Sequence, residues 1–166
     1  FTVMPVVAET NKPFTFTNNS TGATTYSWDF GDGTHSSDIN PIHEYKKTGR
    51  FHVCLTASNQ YGCSSVLCKD IDAIVQPLAA VPTGFSPNGD GNNDVLYVRG
   101  YGIETMSLKI FNRWGELIFE TINQDIGWDG TYKGKPQEME AYAYVLDVVF
   151  GDGSKVRKQG NVTLLR

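Results

Sequence analysis

No stretch of this chain approaches the roughly 20 consecutive apolar residues that a membrane-crossing helix needs. Cysteine, methionine and histidine are each present only three times among 166 residues. The cysteines, Cys54, Cys63 and Cys68, have no fourth ligand at zinc-ribbon spacing. The histidines, His35, His43 and His52, also lack metal-ligand spacing. No G-x-S-x-G, H-E-x-x-H or comparable His/Asp/Ser set occurs, so we expect no enzyme. Basic residues form no stripe that would neutralise phosphates. Residues 1–81 carry 5 basic against 7 acidic groups and residues 82–166 carry 9 against 11, which argues against nucleic acid as a partner. No leader segment opens the chain either, since Phe1-Thr2-Val3 already reads as a strand. We therefore expect a piece of a longer protein.

What is present is alternation. Residues 1–75 fall into short runs of period two with no helical repeat. Thr2–Val7 reads as an edge strand, because Pro5 cannot donate to a central ladder. Phe14–Asn18 and Tyr26–Phe30 follow, and Gly31-Asp32-Gly33 forms a tight turn. Residues 50–58 place Phe51, Val53, Leu55 and Ala57 on one face, and residues 64–75 return as the last strand. Trp28 and Phe30 point inward. The Asp29 and Asp32 carboxylates sit beside turn glycines and should bond backbone N–H groups, and the Tyr45 hydroxyl should bond back to backbone at a strand-end corner. That is the strand spacing of a β-sandwich.

The returning hairpin fixes a register. With the turn centred near Tyr61, Leu55 faces Leu67 on the core side and Cys54 faces Cys68 on the outer side. A directly opposed pair is within bridging range, so we expect a Cys54–Cys68 disulfide, an unpaired Cys63 and an oxidising compartment.

A proline-flanked segment, residues 77–82, reads as a linker between residues 1–76 and a second unit, 83–166. That unit opens on a Gly/Asn/Asp loop in which oxygen-bearing side chains recur at Asn88, Asp90, Asn92 and Asp94. Their spacing suits a Ca²⁺ ion bound weakly with help from carbonyls or water. The alternative is a polar turn whose side chains cap their own backbone. Strands are expected at Asp94–Arg99, Met106–Asn112, Glu116–Glu120 and, as a central strand, Ala141–Phe150. Two more follow at 155–160 and 161–166. Trp128–Gly130 and Tyr132–Pro136 read as loops. The fold class is all-β, with two tandem immunoglobulin-like β-sandwich domains.

Two resemblances sharpen this reading. Tyr26–Gly33, read as YSWDFGDG, with Pro41–Tyr45 and Gly49–Val53, resembles the motifs of PKD domains. That family implies an extracellular spacer or interaction module. Phe85–Asp94 (FSPNGDGNND), Ile110–Gly115 (IFNRWG), Trp128–Gly130, Ala141–Tyr144 and Gly160–Arg166 are similar, in order, to the gliding-motility-associated C-terminal domain, the type B sorting domain of the type IX secretion system in Bacteroidota. The closing Leu164-Leu165-Arg166 departs mildly from that family's usual Leu-Ile-Arg.

The second resemblance implies a C-terminal signal that directs a large surface or secreted protein across the outer membrane by way of the periplasm. Implied partners are outer-membrane components of the type IX translocon and associated shuttle or surface-anchoring proteins. Arg113, Trp114 and Arg166 are the candidate partner-binding residues, with core packing and a hairpin turn as the alternative for the first two. A rival function is an adhesin end piece that grips polysaccharide or a surface protein through Trp114, Trp128 and Tyr132.

Overall fold

The computed structural model describes residues 1–165. It is all-β and divides into two compact units, Phe1–Gln76 and Pro77–Arg166. None of its elements is a helix that could cross a membrane.

The first unit is a sandwich of two antiparallel sheets. One contains β1 (Thr2–Met4), β2 (Phe14–Thr17) and β5 (Ile42–His43), in the order β1-β2-β5. The other contains β3 (Thr25–Asp29), β4 (His35–Ser36), β6 (Gly49–Ser58) and β7 (Ser64–Ala73), in the order β4-β3-β6-β7. β1 pairs with β2 alone among the described strands and is an edge. It stops at Met4, so Pro5–Val7 are not part of the expected Thr2–Val7 strand and Pro5 lies outside the ladder. Alternation in β6 sends Phe51, Val53, Leu55 and Ala57 into the core. Phe51, Val53 and Leu55 cluster there with Trp28 of the neighbouring β3, with Phe30 just beyond it, and with Phe14 and Phe16 of the facing β2. Trp28 is fully buried, and its indole N–H donates to the Asp38 carbonyl at 2.9 Å, so no polar atom is stranded.

The signature turn is built from carboxylates bonding backbone. Asp29 Oδ1 accepts the Gly31 N–H at 2.9 Å and Asp32 Oδ1 accepts that of Thr34 at 3.0 Å. Gly31 has φ +77°, and a Cβ there would stand 2.8 Å from the His52 carbonyl oxygen, so glycine is required twice over. The Tyr45 hydroxyl donates to the Phe30 carbonyl at 2.9 Å. His43 stacks on Phe30 at 4.1 Å and reaches Asp32 Oδ2 at 2.8 Å.

The register of β6 and β7 sets Cys54 opposite Cys68 and Leu55 opposite Leu67. A disulfide joins the two cysteines, and Cys63 is free and exposed. Leu67 departs from expectation, because it is 49% exposed. β6 and β7 are ten residues each while the facing strands have four or fewer, so the hairpin tip overhangs its cover.

The second unit contains β8 (Leu78–Ala80), β9 (Gly84–Phe85), β10 (Arg99–Tyr101), β11 (Ile103–Phe111), β12 (Leu117–Thr121), β13 (Thr131–Tyr132), β14 (Lys135–Pro136), β15 (Ala141–Phe150) and β16 (Lys155–Leu164). Five form the main sheet in the order β12-β11-β15-β16-β9, with β9 parallel to β16. The covering layer is thinner. It consists of the β8–β10 pair and a single bridge between Leu96 and Trp128. Between the layers lie Phe85, Leu96, Leu108, Ile110, Trp128, Tyr142, Leu146, Val162 and Leu164.

Four expectations change here. Residues 77–82 are not a linker, because β8 pairs with β10 and buries Ala79 and Val81. Pro77 and Pro82 limit a strand rather than mark a hinge. Asp94–Arg99 is not a continuous strand. It crosses the layer through the Leu96 bridge and enters a ladder only at Arg99. Residues 155–160 and 161–166 are not two strands, because β16 runs unbroken through Gly160. There the Tyr144 ring of the neighbouring strand lies where a Cβ would point, its hydroxyl 3.0 Å from that position. Finally, residues 131–136 form a small hairpin. Lys133 and Gly134, at φ 50° and 74°, make the two-residue turn that suits strand twist.

Candidate docking surface of the second unit

The β11–β12 connection is a turn fixed by one side chain. Asn112 Oδ1 accepts the N–H groups of Trp114 at 3.0 Å and Glu116 at 2.9 Å, while its Nδ2 donates to Glu116 Oε2 at 3.1 Å. The Asn112 carbonyl accepts the Gly115 N–H at 2.9 Å. With its backbone so held, the turn carries Trp114 into solvent, 82% exposed. Of the alternatives for Trp114, hairpin turn is right and core is not.

Side chains from two distant segments brace this turn. The Arg113 guanidinium lies 5.5 Å from the Trp114 ring centroid, and its Nε is 3.4 Å from Glu140 Oε2. Glu116 Oε1 accepts the Tyr132 hydroxyl at 2.9 Å, and Lys133 Nζ stands 4.6 Å from the Tyr132 ring centroid. Beneath them the Tyr142 hydroxyl donates to the Glu138 carbonyl at 2.8 Å. Burial, then the nearby Glu140 and Glu138 carboxylates, push that phenol above its ordinary pKa, so it remains a donor. The result is an exposed aromatic and a cation on a frame whose acids are already partnered. Such preorganised Trp and Arg anchors lose little entropy when a partner covers them.

Other sequence-derived candidates fall elsewhere. Trp128 is fully buried, packing on Phe85 and Tyr142, with its indole N–H donated to the Thr131 carbonyl at 2.9 Å. It cannot grip a glycan together with Trp114 and Tyr132. Arg166 lies outside the described residues. Cys54 and Cys68 belong to the first unit.

Asn88, Asp90, Asn92 and Asp94 do share one loop, whose oxygens face its own N–H groups. Asp94 accepts from Gly89 at 2.7 Å with one oxygen and from Gly91 at 2.8 Å with the other. Asn88 Oδ1 accepts the Asp90 N–H at 3.0 Å, and Asp90 Oδ1 the Asn92 N–H at 2.7 Å. The Gly89 N–H, followed by that of Gly91, holds the Asp94 carboxyl below its ordinary pKa.

Sequence reasoning missed Glu116 and Glu140, which set the geometry of the surface. The Asn112/Glu116 pair flanking a tight turn was a usable signal for Glu116. Glu140 had none, because its partner Arg113 is distant in sequence.

Comparison with known proteins assigns both units. A model of the CHU_C type IX secretion signal domain matches residues 79–164, and a PKD domain model matches residues 1–69. The chain belongs to the type IX secretion signal domain family. The signal domain thus carries the Trp114 surface, and a PKD domain precedes it. Both are non-catalytic domain types.

Curated relatives of the chain include collagenase ColA of Clostridium perfringens, 35% identical over 65 residues, which is 39% of this chain and 6% of that protein. Collagenase ColQ1 of Bacillus cereus is 42% identical over 40 residues, 24% of this chain and 4% of that protein. The chain therefore spans about a twentieth of their length, and these are partial PKD matches. Among solved structures, one on the promiscuous specificity of carbohydrate-binding modules of the β-sandwich superfamily covers 98% of this chain and 81% of its own, at 15% identity and a TM-score of 0.41. That score falls short of a shared detailed fold.

Proposed function

We propose that the signal domain is the folded address by which a larger surface or secreted protein is exported through the type IX secretion system. The PKD domain serves it as an extracellular spacer. Outer-membrane translocon components, or shuttle and anchoring proteins associated with them, would dock on the turn that presents Arg113 and Trp114. The observation that carries this reading is an indole 82% exposed on a turn whose backbone is held by the Asn112 side chain. A Trp in water whose one neighbour of note is an exposed guanidinium gains too little stability to explain its place, whereas an interface gives it a role.

The test is a reporter fused to residues 77–166 in a type IX-competent host. Surface delivery that Trp114→Ala and Arg113→Ala abolish, with folding intact, supports the reading. Delivery unaffected by both substitutions removes this surface from it. The adhesin reading now rests on Trp114 and Tyr132 alone. Glycan binding by the purified chain, with export unchanged by truncation, would favour it.

Calcium binding at Asn88, Asp90, Asn92 and Asp94 is a separate proposal. Each oxygen that accepts one N–H keeps a lone pair for a weakly held cation. Its test is a melting temperature that rises with millimolar calcium and falls back with chelator.

A further inference from the structure

The outer face of the β6–β7 hairpin in the PKD domain carries two adjacent cross-strand pairs. Cys54 is opposite Cys68, and His52 is opposite Asp70. One ring nitrogen of His52 and the two Sγ atoms all lie within 4.8 Å of one another. His52 Nδ1 is 2.7 Å from Asp70 Oδ1, which leaves Nε2 as the nitrogen free to ligate. The next pair along the face, Arg50 and Asp72, satisfies itself through two hydrogen bonds of 2.7 and 2.9 Å and does not compete. Two sulfurs and an imidazole, with a carboxylate orienting the imidazole, make the ligand set of a thiophilic divalent metal.

We propose that the reduced form of this hairpin is a zinc-binding site, closed by Cys54 Sγ, Cys68 Sγ and His52 Nε2, with water as fourth ligand. The disulfide and the metal exclude each other, because both use the same two sulfurs. Opening the site takes two electrons and two protons per disulfide, from a dithiol in a cell or a phosphine in the tube. With a phosphine, the sulfurs become two thiols and the phosphine becomes its oxide with oxygen from water. Zinc then binds as both thiols release their protons. Zn–S bonds of about 2.3 Å set the sulfurs somewhat under 4 Å apart in a tetrahedral site. Side-chain rotation on two paired strands can supply that separation. The core does not depend on the bond, since Phe51, Val53 and Leu55 pack from the opposite face of the same strand. The site would therefore exist before oxidation and vanish after it.

The experiment uses the full chain, reduced by a phosphine without oxygen and titrated with Co²⁺. Thiolate-to-cobalt charge transfer and tetrahedral visible bands are expected, displaced by equimolar Zn²⁺ and absent from the oxidised protein. Cys54→Ser and Cys68→Ser should each abolish them. His52→Ala should weaken cobalt binding at least about tenfold, the usual range for altering a metal's surroundings, and Cys63→Ser should leave it unchanged. Equal cobalt binding by oxidised and reduced protein overturns the proposal. So does loss of the signal in Cys63→Ser, or collapse of the PKD domain's near-ultraviolet circular dichroism on reduction, since the ligands need paired strands.

Discussion

Arg113 and Leu164 are tied to the same residue. The Glu140 carboxylate lies 3.4 Å from Arg113 Nε, and the Glu140 carbonyl accepts the Leu164 N–H at 3.0 Å. The turn that presents Trp114 is thereby linked to the final strand of the sheet. Arg113 is largely exposed while Glu140 is mostly covered, and at 3.4 Å the pair should be worth about 1 kcal/mol. We expect Arg113→Ala to lower the melting temperature by no more than about 4–8 °C, the shift that 1 kcal/mol gives in a domain of this size, while export of a reporter fusion fails. An equal fall in stability and export would make Arg113 a structural residue only.

The three tryptophans should behave in two ways. Trp28→Ala and Trp128→Ala each empty a fully buried site and should destabilise their own unit by roughly 3–5 kcal/mol. Trp114→Ala should change stability by no more than about 0.5 kcal/mol, as exposed positions do. Denaturant melts of the three variants decide this. A strongly destabilised Trp114→Ala would mean that the indole packs on the fold.

Peptide mapping without reductant should recover Cys54 and Cys68 linked and Cys63 free. The bond spans a sequence separation of 14, and a loop of that size is worth about 3 kcal/mol in the chain-entropy model, less where the hairpin is already local. Recovery of Cys54 and Cys68 as free thiols from oxidised protein would contradict the pairing.

Acid should loosen the 88–94 loop through Asp94. Its carboxyl is held low chiefly by the N–H of Gly89 and then that of Gly91. A group whose pKa falls on folding contributes stability above its unfolded value and loses it as pH drops through the folded one. The Gly89 and Gly91 amide resonances should therefore move below about pH 4, where a free aspartate begins to protonate. Asp94→Asn should flatten that response. Identical acid titrations in parent and variant would rule out Asp94 as the cause.

Removal of residues 160–166 should abolish export by unfolding the signal domain. It deletes Val162 and Leu164, both fully buried, each worth at least about 2 kcal/mol. Thermal melts and reporter export measured together separate this from loss of a contact. A truncated protein that is unstable yet still exported would show that a linear tail is what is read.

The strands of the first unit were legible because period-two alternation in β2, β3 and β6 coincides with burial, and because Gly31 and Tyr45 sit in recognisable turns. Register was legible for the same reason, down to the Cys54–Cys68 opposition. The second unit was harder. Its covering layer depends on one bridge at Leu96 and a three-residue strand after Pro77, too short to show a period. Gly160 looked like a break because local sequence cannot reveal the Tyr144 ring lying across it. At the docking surface, the turn was visible in Asn112–Gly115 but its braces were not. Glu140 and Tyr132 reach it only through the folded sheet.

The parallel pairing of β9 with β16 has a consequence for how the domain is made. Gly84 and Phe85, near its start, find their ladder partners in Thr163 and Leu164, near its end. A ribosome delivers the first pair long before the second, so β9 waits without a neighbour while the intervening chain emerges. A product that stops short of Thr163 never closes its sheet. A receptor tuned to the closed sheet would then pass over every copy that stops short of β16, and the topology would serve as a mark that the domain has been made through its last strand.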